Sequence, residues 1–195
     1  MTPAAEDQAR ANFYALLARL FYAPPDRPLL DSLAAAGALE AEDRESPLAL
    51  AWRDLIAAAS DADLDAVREE YDAMFVGTGK ADVTLYASAY TVKSAADNPL
   101  VELREFLWGH GLARRESAGE PEDHIAGLCE TMRHLIAKEH GSSEAQQVFF
   151  KKYIWPAANA LCGAITSNGK ADFYRRVGRF AQRFLELEHT ALDMH

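Results

Sequence analysis

Glu120-Pro-Glu-Asp-His-Ile-Ala-Gly-Leu-Cys-Glu-Thr-Met-Arg-His-Leu-Ile136 is the stretch on which the fold turns. Its apolar residues Ile125, Leu128, Cys129, Met132, Leu135 and Ile136 recur at steps of three and four, the spacing of one face of an α-helix rather than of a strand. Pro121, followed by Glu122 and Asp123, places a first-turn proline and two carboxylates where the helix dipole favours them. The same spacing extends in both directions. Phe13, Leu16, Leu17, Leu20 and Phe21 form one stripe, and Leu64, Val67, Tyr71, Met74 and Phe75 another. Phe173, Val177, Phe180, Phe184 and Leu187 close the chain, with Arg175, Arg176, Arg179 and Arg183 on other positions. The expected class is all-α.

Boundary signals agree. Asn98 before Pro99 reads as an N-cap and first-turn proline, and Ser143 with Gln146 as a capping box. Pro24, Pro25 and Pro28 break the chain after the first helix, and a turn-rich run from Gly37 to Pro47 separates two shorter helical pieces. Periodicity lapses between Phe75 and Asp97. A segment of that length without a clear element suggests a functional or hinge loop. Gly77, Gly79 and Lys80 do not make a phosphate loop, because the first spacing and the Ser or Thr after the Lys are missing.

A chain of 195 residues, 49% of them hydrophobic, buries a substantial core without staples. Cys129 and Cys162 both sit in apolar stretches, which fits reduced thiols and a reducing, cytoplasmic setting. The start of the chain has no apolar run, and no stretch approaches the length of a membrane span, so neither export nor membrane insertion is expected. A formal charge of -10 argues against a general nucleic-acid binder. That acidity is concentrated: residues 1–97 hold 17 Asp and Glu against 8 Lys and Arg, whereas residues 98–195 hold 13 against 12. An acidic surface attracts cationic partners, although it also serves ordinary solubility.

Two stretches carry a family resemblance. Tyr71-Asp-Ala-Met-Phe-Val-Gly-Thr-Gly-Lys80, running into Leu85-Tyr-Ala-Ser-Ala-Tyr90, resembles the aromatic helix end, glycine-bearing loop and Tyr/Glu-Ser-x-Tyr segment of the TorD/DmsD/NarJ family of redox-enzyme maturation chaperones. Glu120-Pro-Glu-Asp-His-Ile125 is similar to that family's Glu-x-x-Asp-His-Ile box. Ala87 departs from the pattern, standing where many members carry an acidic residue before the Ser. The resemblance implies a single helical bundle-like domain in two halves, 1–75 and 98–195, joined by a hinge loop at 76–97. It also implies a cytoplasmic chaperone without catalysis or cofactor. Such a protein binds the catalytic-subunit precursor of a molybdenum oxidoreductase through its twin-arginine leader, as a monomer or a domain-swapped homodimer.

A leader of that kind combines two guanidinium groups with an apolar stretch, so its receptor needs carboxylates beside an apolar groove. If the loop folds against the start of the helix at Pro121, Tyr71, Phe75, Tyr86 and Tyr90 could line the groove, with Ser88 among them. Glu120, Asp123 and Asp72 would face the arginines. His124, beside Asp123, could donate to a carboxylate or titrate near neutrality; a capping network at a helix start is the plainer alternative.

Other classes fit less well. A helical-bundle metalloprotein needs two Glu-x-x-His pairs, and only Glu186 with His189 qualifies. Ser88 and Cys129 lack the surroundings of a nucleophile. A helical regulatory protein would place a basic recognition helix where this chain is acidic. Arg114-Arg115 lies mid-chain with no apolar run after it and is not a leader.

Overall fold

The computed structural model describes residues 5–37, 39, 45–77, 80–92, 98–115, 119–138 and 143–194. Among them the helices run α1 (Ala5–Tyr22), α2 (Arg27–Ala34), α3 (Pro47–Ser60), α4 (Leu64–Tyr71), α5 (Ser88–Thr91), α6 (Pro99–Gly109), α7 (Ile125–Lys138), α8 (Ser143–Phe149), α9 (Trp155–Ser167) and α10 (Phe173–Asp193). A π-helical turn, Asp72–Val76, extends α4, and another, Phe150–Ile154, joins α8 to α9. The described residues contain no strand, only an antiparallel bridge between Tyr86 and His124. None of their helices is long and apolar enough to cross a membrane.

Contacts divide the chain into two units that do not follow chain order. One gathers residues 1–21, 85–158 and 192–195, the other 22–84 and 159–191. One crossing, between Thr84 and Leu85, falls inside the segment 76–97. The remaining crossings fall at or within helices α1, α9 and α10, where no break in sequence pattern marks them.

In the first unit the α7 stripe is buried throughout, from Ile125 to Ile136, and α7 packs on α8 and the π turn after it. Tyr14, Leu17, Phe149 and Phe150 are fully enclosed. Each such side chain contributes roughly 1.5–3 kcal/mol by leaving water. Gln146 Oε1 accepts from Arg10 Nη2 at 3.0 Å, and the Ser143 side chain of the expected capping box lies outside the described residues.

In the second unit α2 packs on α3. Pro28 starts a helix here rather than breaking one. It sits in the first turn of α2, behind Asp26, whose Oδ1 accepts the Leu29 N–H at 2.9 Å. Ser46 and Asp63 cap α3 and α4 in the same way. The start of α10 is capped at a distance. Glu70 accepts the N–H groups of Asp172, Phe173 and Tyr174 at 2.8, 3.0 and 2.7 Å. These are the donors that the first turn of a helix leaves unpaired.

The α10 stripe continues inward not through Leu187, which is 53% exposed, but through Leu185 and Leu192. A regular step of three or four residues drifts off a face when a helix is this long. Gly178 lies where α9 approaches most closely: a Cβ there would meet Ile165 Cγ2 at 2.9 Å. Gly77, at φ +62°, turns the chain after the first π turn, and a Cβ on it would stand 2.6 Å from the Lys80 carbonyl oxygen.

Candidate functional site

Two stretches distant in sequence meet in the first unit. The Ala87 N–H donates to the Asp123 carbonyl at 2.9 Å and the Ile125 N–H to the Leu85 carbonyl at 2.8 Å, which makes the bridge at Tyr86 and His124. Asp123 completes the link, its Oδ2 accepting the Ser88 N–H at 3.3 Å. The box and the segment Leu85–Tyr90 are therefore one structural feature.

The polar groups of this feature differ in access. Tyr86 and Glu120 are half-buried and joined by a hydrogen bond of 2.5 Å from the phenol to Oε2. Donation to the Glu120 carboxylate, reinforced by burial, pushes the Tyr86 hydroxyl up to about 12. Ser88 and Tyr90 are also half-buried, whereas Asp123 and His124 are 5% exposed each. Glu120 is thus the carboxylate of this cluster that solvent reaches. The Asp123 carboxylate is spent on the backbone of Ser88.

His124 serves the start of α7. Its Nδ1 accepts the Ala126 N–H at 3.2 Å and its carbonyl accepts from Leu128, so it is the cap of α7, and the neutral ring carries its proton on Nε2. Burial holds the imidazole below its ordinary range, against the opposing pull of Glu120 and Asp123. The ring meets Tyr86 edge-on, with centroids 5.3 Å apart.

The expected first turn is displaced accordingly. Pro121, Glu122 and Asp123 form a turn ahead of α7, closed by the His124 N–H to the Pro121 carbonyl at 3.1 Å. Asn98 stands at the N-cap of α6 but its side chain makes no capping bond. Glu122 ties the box to α6: it receives Arg104 through Nε and Nη2 at 3.0 Å each, and the guanidinium holds its carboxyl below the usual range. Sequence reasoning passed over this pair. A second Glu in a box already reading Glu-x-x-Asp-His was the available signal.

Tyr71, Asp72 and Phe75 belong to the second unit. Tyr71 is buried and forms an aromatic cluster with Phe75 and Tyr174 at centroid separations of 5.0–5.6 Å. That is core packing for Tyr71. Phe75 is half-buried and Asp72 exposed, both on the π turn, an irregularity often found at functional places. No group of three or more potential metal ligands occurs among the described residues. Glu186, the carboxylate considered for a metal, receives Arg183 at 2.7 Å.

The fold first defines a class. A solved structure described as a redox enzyme maturation protein from Archaeoglobus fulgidus aligns over 95% of this chain and 96% of its own, with a TM-score of 0.57 at 16% identity, and so shares the all-α architecture. The sequence then specifies the family: a model of the nitrate reductase delta subunit family matches residues 41–162, and the chain belongs to that family. Relatives named chaperone protein TorD include one from Vibrio cholerae, 27% identical over 68% of this chain, and one from Shewanella loihica, 28% identical over 98%. A relative from Haemophilus influenzae, named a Tat proofreading chaperone DmsD, is 25% identical over 66% of this chain. The chain spans 64% of the length of the Vibrio cholerae relative, 95% of the Shewanella loihica one and 62% of the Haemophilus influenzae one.

Proposed function

We propose that this chain is a cytoplasmic assembly chaperone that binds the precursor of a molybdenum oxidoreductase through its twin-arginine leader until the cofactor is loaded. It carries out no chemistry of its own. The names of its relatives give the reading its direction, and one observation carries it to particular residues. Glu120 lies half-buried at the junction of the box with Leu85–Tyr90, its carboxylate already engaged by the Tyr86 phenol, and that segment carries two further half-buried side chains, Ser88 and Tyr90. A guanidinium group pairs best with such a planar, partly desolvated carboxylate, and aromatic neighbours add contact area at small entropic cost. Asp123 and His124 act as positioning residues, holding Ser88 and the start of α7 in place. Asp72 and Phe75 remain the second-unit candidates for contact with the leader, Asp72 by exposure and charge, whereas Tyr71 is taken up by the core.

Calorimetric titration with a synthetic peptide bearing Arg-Arg before an apolar stretch tests this, with a Lys-Lys version as control. The Arg-Arg peptide binds more tightly than the control, and Glu120→Gln removes most of that preference while helix content by circular dichroism stays the same. Equal affinity for both peptides refutes leader recognition, and an unaffected Glu120→Gln removes Glu120 from it.

A further inference from the structure

The end of α6 builds a second concave surface that the leader reading does not use. Gly111, at φ +71°, lets the chain reverse there: the Leu112 N–H donates to the Leu107 carbonyl at 2.8 Å and the Gly111 N–H to the Trp108 carbonyl at 2.9 Å. This pair of bonds folds the residue after the glycine back over the last helical turn. The result is an open cleft of about 520 Å³ lined by Leu107, Leu112, Trp108, Arg104, Arg114 and Glu122, with Gly111 and Ala113 in the turn. Trp108 is 84% exposed.

An indole left in water beside a leucine floor is unusual, since tryptophan is a large apolar surface and the residue type most enriched where proteins bind one another. The rim sets the sign of the partner. Among the described lining residues two guanidinium groups stand against one carboxylate. Glu122 occupies Nε and Nη2 of Arg104, so Nη1 is not part of that fork, and Arg114 stands 3.9 Å from the same carboxylate.

We propose that this cleft is a protein-docking site for a segment of a partner that presents a carboxylate next to a large apolar side chain. The apolar side chain lies on Leu107 and Leu112 against the Trp108 indole, and the carboxylate meets the Arg104 and Arg114 rim. A twin-arginine segment is the wrong sign for this rim, so the proposal does not rest on the leader reading, although the cleft adjoins the Glu120 site: Arg114 Nη1 donates to the Glu120 carbonyl at 3.4 Å. A nucleotide is also disfavoured. One surplus positive charge among the described lining residues suits a single carboxylate better than a polyphosphate.

The test uses the whole protein and the peptide acetyl-Glu-Leu-Phe-Asp-Leu-Glu-amide, with a control in which lysine replaces every acid. Trp52 is buried and Trp155 half-buried, so Trp108 dominates quenching by acrylamide. The acidic peptide shields Trp108 and blue-shifts its emission. Measured by anisotropy of the labelled peptide, Trp108→Ala and Arg114→Glu each weaken binding at least tenfold, while Trp108→Ala keeps wild-type affinity for the Arg-Arg leader peptide. The proposal is overturned by any of the following: no shielding at millimolar peptide, equal binding of the lysine control, or unchanged affinity in Trp108→Ala. Shielding by GTP or ATP without the peptide, or shielding that grows with protein concentration alone, assigns the cleft to a nucleotide or a second copy instead and likewise overturns it.

Discussion

Replacing Glu70 with alanine should destabilise the second unit by about 2–3 kcal/mol, because one side chain accepts three backbone N–H groups at the start of α10. The carboxylate accepts three backbone N–H groups, two of them partly buried and one, from Asp172, exposed. Water replaces the exposed bond at little cost. Each partly buried N–H left unpaired costs roughly 1–1.5 kcal/mol, in line with the loss of an N-cap. For a chain of this size a loss of 1 kcal/mol lowers the melting temperature by roughly 2–4 °C, so the drop should be about 4–12 °C. Glu70→Gln keeps one acceptor oxygen and loses the charge that favours a helix N-terminus, so it should fall about midway. Melting followed at 222 nm, with urea unfolding as a second measure, checks both variants. A Glu70→Ala protein within about 0.5 kcal/mol of wild type would refute the cap as an energetic feature.

Further perturbations probe other parts of the molecule. Burial depresses the His124 pKa from its ordinary 6.5, so the stability it confers is full above that value and is lost as pH falls through the folded-state value. His124→Asn, which keeps a capping acceptor but does not titrate, should flatten the decline in melting temperature between pH 7 and pH 5; an unchanged slope would place the titration elsewhere. Gly178→Ala pushes a Cβ against the stiff, branched Ile165 side chain and should cost roughly 1–2 kcal/mol in urea unfolding, where an inserted alanine would otherwise stabilise a helix. Gly77→Ala combines a left-handed φ with a backbone collision and should cost roughly 2 kcal/mol or more in the same measurement.

The helices were legible because their signal is local: the α7 stripe from Ile125 to Ile136 is set by spacing alone, and every member is buried. What depends on distant partners was not. The start of α7 was placed at Pro121 because proline and carboxylates favour a first turn, but Glu122 is drawn to Arg104 and His124 supplies the cap. Histidine is not among the residues that announce an N-cap. Glu70 gives no local sign of its role, since its three partners lie 102 to 104 positions away. Of the expected site, the proximity of Leu85–Tyr90 to the box could be inferred by treating two motifs as one. That Asp123 and His124 would be buried, and Glu120 left accessible, depended on the bridge between them. Tyr71 shows the opposite limit: an aromatic residue at a helical step has the same spacing whether it faces a ligand or, as here, Tyr174.

The bridge at Tyr86 and His124 also has a kinetic meaning. It closes a loop whose contacting residues stand 34 and 35 positions apart, Tyr86 with Glu120 and Ser88 with Asp123. Closing a chain of that length costs about 3 kcal/mol in entropy, more than two backbone rungs return by themselves. The burial of Leu85, Ala87 and Ile125, and α6 held to the box through Arg104 and Glu122, make up the difference. The amide protons of Ala87 and Ile125, locked only while the loop is closed, become a clock for its opening, and their exchange with solvent reports how often the bridge at Tyr86 and His124 comes apart.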